Sequence, residues 1–115
     1  MRIEVRGRNV EITDEIRDHV TKRFARTAKQ VSELATLEVE LFEERNPAIT
    51  DSQVAEAHLH LKGTSLHARE SSPEMLGSIH AVAEDIRRQV KRHREKRRAR
   101  PRARRFASRL RRREA

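Results

Sequence analysis

The chain has no cysteine, tryptophan or tyrosine, and only three phenylalanines, three glycines and three prolines in 115 residues. Without cysteine there is neither a disulfide framework nor a thiolate zinc site. With Phe24, Phe42 and Phe106 as the only ring-bearing hydrophobes, base stacking on an exposed aromatic platform is disfavoured. The scattered glycines form no phosphate-cradling loop. No run of about 18 apolar residues occurs, so no helix is apolar enough to cross a bilayer. The opening Met1-Arg2-Ile3-Glu4 also lacks the apolar segment of a signal peptide. These absences predict a cytoplasmic soluble domain with no membrane partner, and 35% hydrophobic residues predict a small core.

Charge, by contrast, is abundant and unevenly placed. Residues 1–86 hold 11 Lys/Arg against 16 Asp/Glu, a net −5, whereas residues 87–115 hold 16 Lys/Arg against two acids, a net +14. A mildly acidic domain joined to an intensely basic end predicts a polyanionic partner, with nucleic acid the first candidate.

Period-two alternation marks four strands. Ile3 and Val5 alternate with Arg2, Glu4 and Arg6 in Met1–Arg8. Leu37, Val39 and Leu41 alternate with Glu38, Glu40 and Glu43, and Glu44-Arg45-Asn46-Pro47 marks the turn that follows. From about Ser52 to Leu61, Ala55, Ala57, Leu59 and Leu61 oppose Glu56, His58 and His60. A turn at Lys62-Gly63-Thr64 leads to a fourth strand with Leu66 and Ala68 opposed to His67 and Arg69. Between the first two strands, Thr13 is a helix N-cap followed by Asp14 and Glu15, and Ile16, Val20, Phe24, Ala28 and Val31 recur at helical spacing. This predicts one helix over residues 14 to about 30. A second helix is predicted from Ser72, read as its N-cap, to Arg98, with an apolar stripe of Met75, Ile79, Val82, Ala83, Ile86 and Val90.

The fold class is therefore α/β (α+β) in the order β-α-β-β-β-α: a four-stranded sheet with two parallel helices on one face. A right-handed crossover makes the first two strands parallel, and short turns make the last three an antiparallel meander. Both helices then run the same way, bringing Lys22, Arg23, Arg26 and Lys29 together with Arg87, Arg88, Lys91 and Arg92 as one basic surface. These eight side chains are the predicted RNA-binding residues, reading phosphate and shape. Residues 1–98 form the predicted domain. Residues 99–115, where Pro101 interrupts the helix, are predicted to be a basic tail, disordered when free. Phe106 and Leu110 there are spaced to form a short helix on a partner.

The segment Val10-Glu11-Ile12-Thr13, followed by Ile16-Arg17 and His19-Val20, resembles the opening of the ribosome hibernation promoting factor family, also described as ribosome-associated inhibitors. Arg23, Arg26 and Lys29 fall where that family is basic on its first helix. Glu74-Met75 with Ile79, and Arg88-Gln89 with Lys91-Arg92, are similar to its later signatures. The resemblance covers residues 1 to about 96; Leu76 stands where tyrosine is usual and Asp85 where lysine is common. It implies a fold similar to a double-stranded-RNA-binding domain. It also implies binding to the small ribosomal subunit and its rRNA in the mRNA and tRNA channel, blocking initiation and preserving idle ribosomes. Residues 1–115 hold no counterpart of the C-terminal domain by which longer members pair ribosomes, so a protein monomeric when free is expected and, unless the chain is a fragment of a longer member, one unable to pair ribosomes unaided. Two other readings compete: a general double-stranded-RNA-binding module, and a regulatory domain with an acidic protein partner.

Other chemistry finds little support. His58, His60 and His67 share the open sheet face, and three imidazoles can bind zinc, but no carboxylate to orient them is evident; no metal or cofactor is expected. His19, near the basic helix residues, is as well explained as a surface histidine as by RNA contact, and His80 and His93 are uninformative. Glu38, Glu40 and Glu56 read as a polar strand face, and Ser65, Ser71 and Ser72 lack a nucleophile-elbow context. No catalytic residues and no small-molecule substrate are expected.

Overall fold

The computed structural model describes residues 1–46 and 48–114, with side chains through Arg97. In chain order the elements are β1 (Arg2–Arg8), α1 (Asp14–Arg23), α2 (Ala25–Gln30), β2 (Thr36–Glu43), β3 (Gln53–Leu61), β4 (Thr64–Ser72) and α3 (Met75–Glu114). The strands form one sheet in the order β1-β2-β3-β4. β1 and β2 are parallel, with Ile3 opposite Leu37 and Val5 opposite Val39. β2-β3 and β3-β4 are antiparallel, with Val39 opposite Ala57 and Ala57 opposite Ala68. The predicted mixed four-stranded sheet is thus present.

Strand alternation decides where the core sits. Leu37, Val39, Leu41, Ala55, Ala57, Leu59 and Ala68 are buried on one face, under Val20 and Phe24 of the first helical segment and Ile79, Val82, Ala83, Ile86 and Val90 of α3. The opposite face is polar except at Phe42 and Val54, which pair across β2 and β3 and are also buried. Two guanidinium groups cover that patch: Arg8 Cζ lies 4.4 Å and Arg69 Cζ 5.2 Å from the Phe42 ring centroid. The Phe42 ring on the polar face is therefore shielded by cations.

Three contacts establish that the helices run in parallel. His19 Nε2 of α1 donates to the Leu76 carbonyl, 3.3 Å away, at the start of α3. Arg26 of α2 lies close enough to Glu84 of α3 for its charge to act on that carboxyl. Val31, just after α2, shares a groove with Val90 and Arg94. The sequence offset stays near sixty throughout, which only co-directional helices allow.

Three local expectations need correction. The first helix is not continuous: Phe24, at φ −93° and ψ 5°, separates α1 from α2, although its N–H still donates to Val20 O and its carbonyl accepts from Ala28 N. Ser72 is not the N-cap of the last helix but the final residue of β4. Its Oγ accepts from Glu74 N at 3.3 Å and lies 2.8 Å from Ser78 Oγ, while the buried Ser78 donates to Gln53 O. The serine pair therefore locks the start of α3 to β3. Finally, the α3 backbone continues through Pro101 to Glu114, where an interruption of the helix was expected. The alanine- and arginine-rich flanks favour helix strongly enough to span the hydrogen bond that proline cannot donate. Side chains beyond Arg97, including Phe106 and Leu110, lie outside the described residues.

Thr13 does act as an N-cap, accepting from Ile16 N at 3.2 Å. Before it, Asn9 adopts a left-handed φ of 60°, which asparagine tolerates. At the end of β1 a Cβ on Gly7 would run into the Val10 carbonyl oxygen, which is backbone and cannot yield, as well as Ile12. Gly7→Ala should therefore destabilise the domain by about 1–3 kcal/mol, measured as a lower urea midpoint at unchanged m-value.

Candidate nucleic-acid interface

Seven of the eight predicted RNA-binding side chains, Lys22, Arg23, Arg26, Lys29, Arg88, Lys91 and Arg92, are exposed. Because α1-α2 and α3 are parallel with an offset near sixty, the two groups are staggered along the helical face, Lys29 coming level with Arg87 and the remaining α3 cations lying beyond it. Arg87 differs: its Nε and Nη2 donate to Glu84 Oε2 at 3.2 and 2.9 Å, within a single turn of α3. That hydrogen bond holds the Glu84 carboxyl below its ordinary range against partial burial, and the charges of Arg87, His80 and Arg26 add to it. Glu84 thus sits between the two cationic rows. It orients Arg87 and offsets part of their mutual repulsion.

On the other side of α3, Gln89 Nε2 donates to the His67 carbonyl at 2.7 Å and to Asp85 Oδ1 at 3.0 Å, pinning the helix to β4. Asp85 also faces Glu70 of β4. Burial pushes the Glu70 carboxyl up, hydrogen bonding with and the charge of Asp85 push it further, and Arg88 opposes them. The Glu70 carboxyl is therefore held above its ordinary range.

Further cations gather where α3 passes the end of the sheet. An open groove of about 640 Å³ between the β3-β4 turn and α3 is lined by Lys62, Arg92, Lys96 and Arg97 together with Gln89 and His93. A second groove of about 500 Å³, more apolar, lies between α3 and the α2-β2 connection, with Val31, Leu34, Leu61 and Val90 on its walls. His93 and Arg97 border both grooves, and His93 Nε2 is buried without a hydrogen-bond partner among the described residues. Lys62, Lys96 and Arg97 were not singled out in the sequence, since nothing local says that a hairpin turn approaches the sixth turn of a helix. Acids concentrate at the opposite end, where α1 and α3 begin and β2 joins β3: Asp14, Glu15, Glu43, Glu44, Asp51 and Glu74.

The open sheet face carries a third cluster. His58 and His67 are cross-strand partners, and Glu56 accepts from both: its Oε1 is 3.2 Å from His58 Nε2 and 3.1 Å from His67 Nε2. His60 instead contacts Glu38 Oε2 at 3.2 Å and Ser65 Oγ at 3.1 Å. Burial raises the Glu56 carboxyl, but the His67 and His58 hydrogen bonds and charges outweigh it and leave a net lowering. The His60 hydrogen bond likewise lowers Glu38, against burial and with help from the charges of His60, Arg6 and His58. The orienting carboxylates absent from any local pattern are supplied by strand register.

Residues 3–98 match the family model described as sigma 54 modulation protein / S30EA ribosomal protein. The chain belongs to the S30EA ribosomal protein family. Among its relatives is the ribosome hibernation promotion factor of Picosynechococcus, 32% identical over 83% of this chain and 50% of that protein. The ribosome hibernation promoting factor of Salmonella typhimurium is 31% identical over 83% of this chain and 95% of that protein. The chain thus spans half the length of the first of these relatives and nearly all of the second. Among solved structures, the Thermus thermophilus Protein Y N-terminal domain superposes with a TM-score of 0.69 at 30% identity, covering 81% of this chain and 99% of that one. The S30EA match spans the sheet, both helical segments and α3 as far as Arg98.

The Glu70–Asp85 pair sets a pH dependence whose sign is fixed. The folded state holds the Glu70 proton more tightly than the unfolded chain does. Stability therefore falls as pH rises from the ordinary glutamate range through the raised folded value. Glu70→Gln removes that titration and should melt higher than wild type at pH 7, with the difference vanishing below about pH 4. Thermal melts at the two pH values check this, and equal melting at pH 7 would contradict a raised Glu70 carboxyl.

Proposed function

We propose that this chain is a ribosome-associated translation inhibitor that occupies the mRNA and tRNA channel of the small subunit and stabilises idle ribosomes. The proposed role is non-catalytic and cytoplasmic, with rRNA as the direct contact and no cofactor. Family membership and the hibernation-factor names of its relatives support a ribosomal partner. The observation that carries the site is the parallel placement of the helices, with Arg26 acting on Glu84 across from Arg87. Lys22, Arg23, Arg26 and Lys29 on one side, and Arg87, Arg88, Lys91 and Arg92 on the other, would hold rRNA phosphates.

The mechanism follows from the chemistry of these groups. Each phosphate neutralised by Lys or Arg releases condensed counterions, giving tight binding that weakens steeply with salt. Guanidinium forks grip two phosphate oxygens at once, so the arginines at fixed spacing on two helices read backbone geometry rather than base identity. The shortage of aromatics agrees with this, because Phe24 is in the core and Phe42 is covered by Arg8 and Arg69. Occupying a channel needs bulk as well as charge, and a sheet backed by two rows of helix supplies it.

A double Arg26→Glu, Lys91→Glu variant should lose ribosome co-sedimentation while retaining the wild-type circular dichroism and melting point. Retained binding would remove the helical site. A competition between purified small subunits and generic duplex RNA separates the ribosomal role from a general RNA module, and equal affinity would favour the module. Truncation after Arg98 removes eight arginines. It should weaken binding and flatten the dependence of log K on log salt, each lost phosphate contact changing the slope by about 1. An unchanged slope would leave the basic end of α3 outside the interface.

A further inference from the structure

The open face of the sheet, away from the basic helices, brings three donor atoms to one point. The nearest ligating atoms of Glu56, His58 and His67 all lie within 4.8 Å of one another. Both imidazoles present Nε2 to the same carboxylate oxygen, at 3.2 and 3.1 Å. We propose that Glu56, His58 and His67 form a binding site for a divalent transition-metal ion, with zinc the best match to the donor set.

Three features carry the inference. The first is spacing. Donors around a tetrahedral zinc lie about 2.0–2.1 Å from the ion, which places neighbouring donors about 3.3 Å apart. The two Glu56–His distances are within about 0.2 Å of that edge and all three donors lie within 4.8 Å of one another, so an ion could enter once the two imidazoles close by up to about 1.5 Å. The second is donor chemistry. Two imidazoles with one carboxylate suit zinc, nickel and copper, and are too nitrogen-rich for calcium or magnesium. Three protein ligands leave a fourth position for water or an external ligand.

The third is support from behind the donors. Arg69 Nη1 lies 3.9 Å from the other oxygen of Glu56, which turns Oε1 toward the imidazoles. Arg69 is itself held by Glu44 at 3.4 Å and by the Phe42 ring. Strand register fixes the remainder: His58 and His67 face each other across β3 and β4, and Glu56 is two residues from His58 on the same face. A bound ion would cross-link those two strands. His60 stands apart, engaged by Glu38 and Ser65, and serves as an internal control.

The test titrates the full chain with zinc chloride in chelator-treated buffer, by calorimetry and by competition with a chromophoric zinc chelator. Wild type should bind one equivalent, and zinc should raise its melting temperature in a concentration-dependent way. Glu56→Gln, which keeps the shape of the side chain, and His67→Gln should each weaken binding by about tenfold or more. His60→Gln should change it by less than about threefold. The Arg26→Glu, Lys91→Glu variant should bind zinc as wild type does, so the metal site and the ribosomal site can fail independently. No saturable binding by wild type would overturn the proposal. Equal affinity in the Glu56 and His67 variants would do the same, by placing the ion on His19, His80 or His93.

Discussion

The apolar stripe of α3 against the sheet is the contact on which everything else rests. With no tryptophan or tyrosine and a single core phenylalanine, the interior is built from valine, leucine, isoleucine and alanine. Aliphatic burial is worth roughly 25 cal/mol per Å², so such a core depends on many well-matched medium-sized contacts rather than on one large anchor. Ile79, Val82, Ala83, Ile86 and Val90 provide one wall of it. The rotation of α3 is set at both ends, by Ser78 reaching the Gln53 carbonyl and by Gln89 reaching the His67 carbonyl. Turning the helix by one residue, about 100°, would bring His80, Glu84, Arg87 and Lys91 toward the core in place of Ile79, Ala83, Ile86 and Val90. The basic residues face outward because the aliphatic ones cannot.

The acids embedded in the basic surface have a related logic. Glu84 takes a position between Arg26 and Arg87 where two unopposed guanidinium groups would repel. Glu70 and Asp85 do the reverse: two carboxyls face each other beside Arg88, a locally unfavourable arrangement that hydrophobic packing elsewhere must offset. Asp85 also accepts from Gln89, so the same residue that strains the electrostatics helps hold the helix to β4.

How far the fold could be read from sequence depends on how local each cause is. Alternation at Leu37, Val39 and Leu41, and helical spacing at Ile79, Val82 and Ile86, are local, and the sheet and its covering helices followed from them. Thr13 was legible as a cap for the same reason. Phe24 was not legible as a break, because it fits the apolar stripe and only its backbone departs. Ser72 misled because a serine before Pro73-Glu74 has the composition of a cap, whereas its partner Ser78 is fixed by tertiary packing on β3. Pro101 misled in the opposite direction, since strong helix formers on both sides outweigh one lost donor. At the surface, residue types were readable, but pairings were not. That Glu56 meets His58 and His67 while His60 meets Glu38 depends on the register of three strands, and a shift of one residue in any of them would undo it.

The segregation of charge along the strand axis bears on how the molecule arrives at its target. Asp14, Glu15, Glu43, Glu44, Asp51 and Glu74 mark one end, and Lys62, Arg92, Lys96 and Arg97 the other, so the domain is an electric dipole as well as a carrier of net positive charge. In the field of a polyanion such a body experiences a torque. It turns its basic end forward during approach, reducing the fraction of collisions that arrive wrong way round. Orientation is then partly settled before the first contact is made, and added salt would slow the encounter by shortening the distance over which that turning begins.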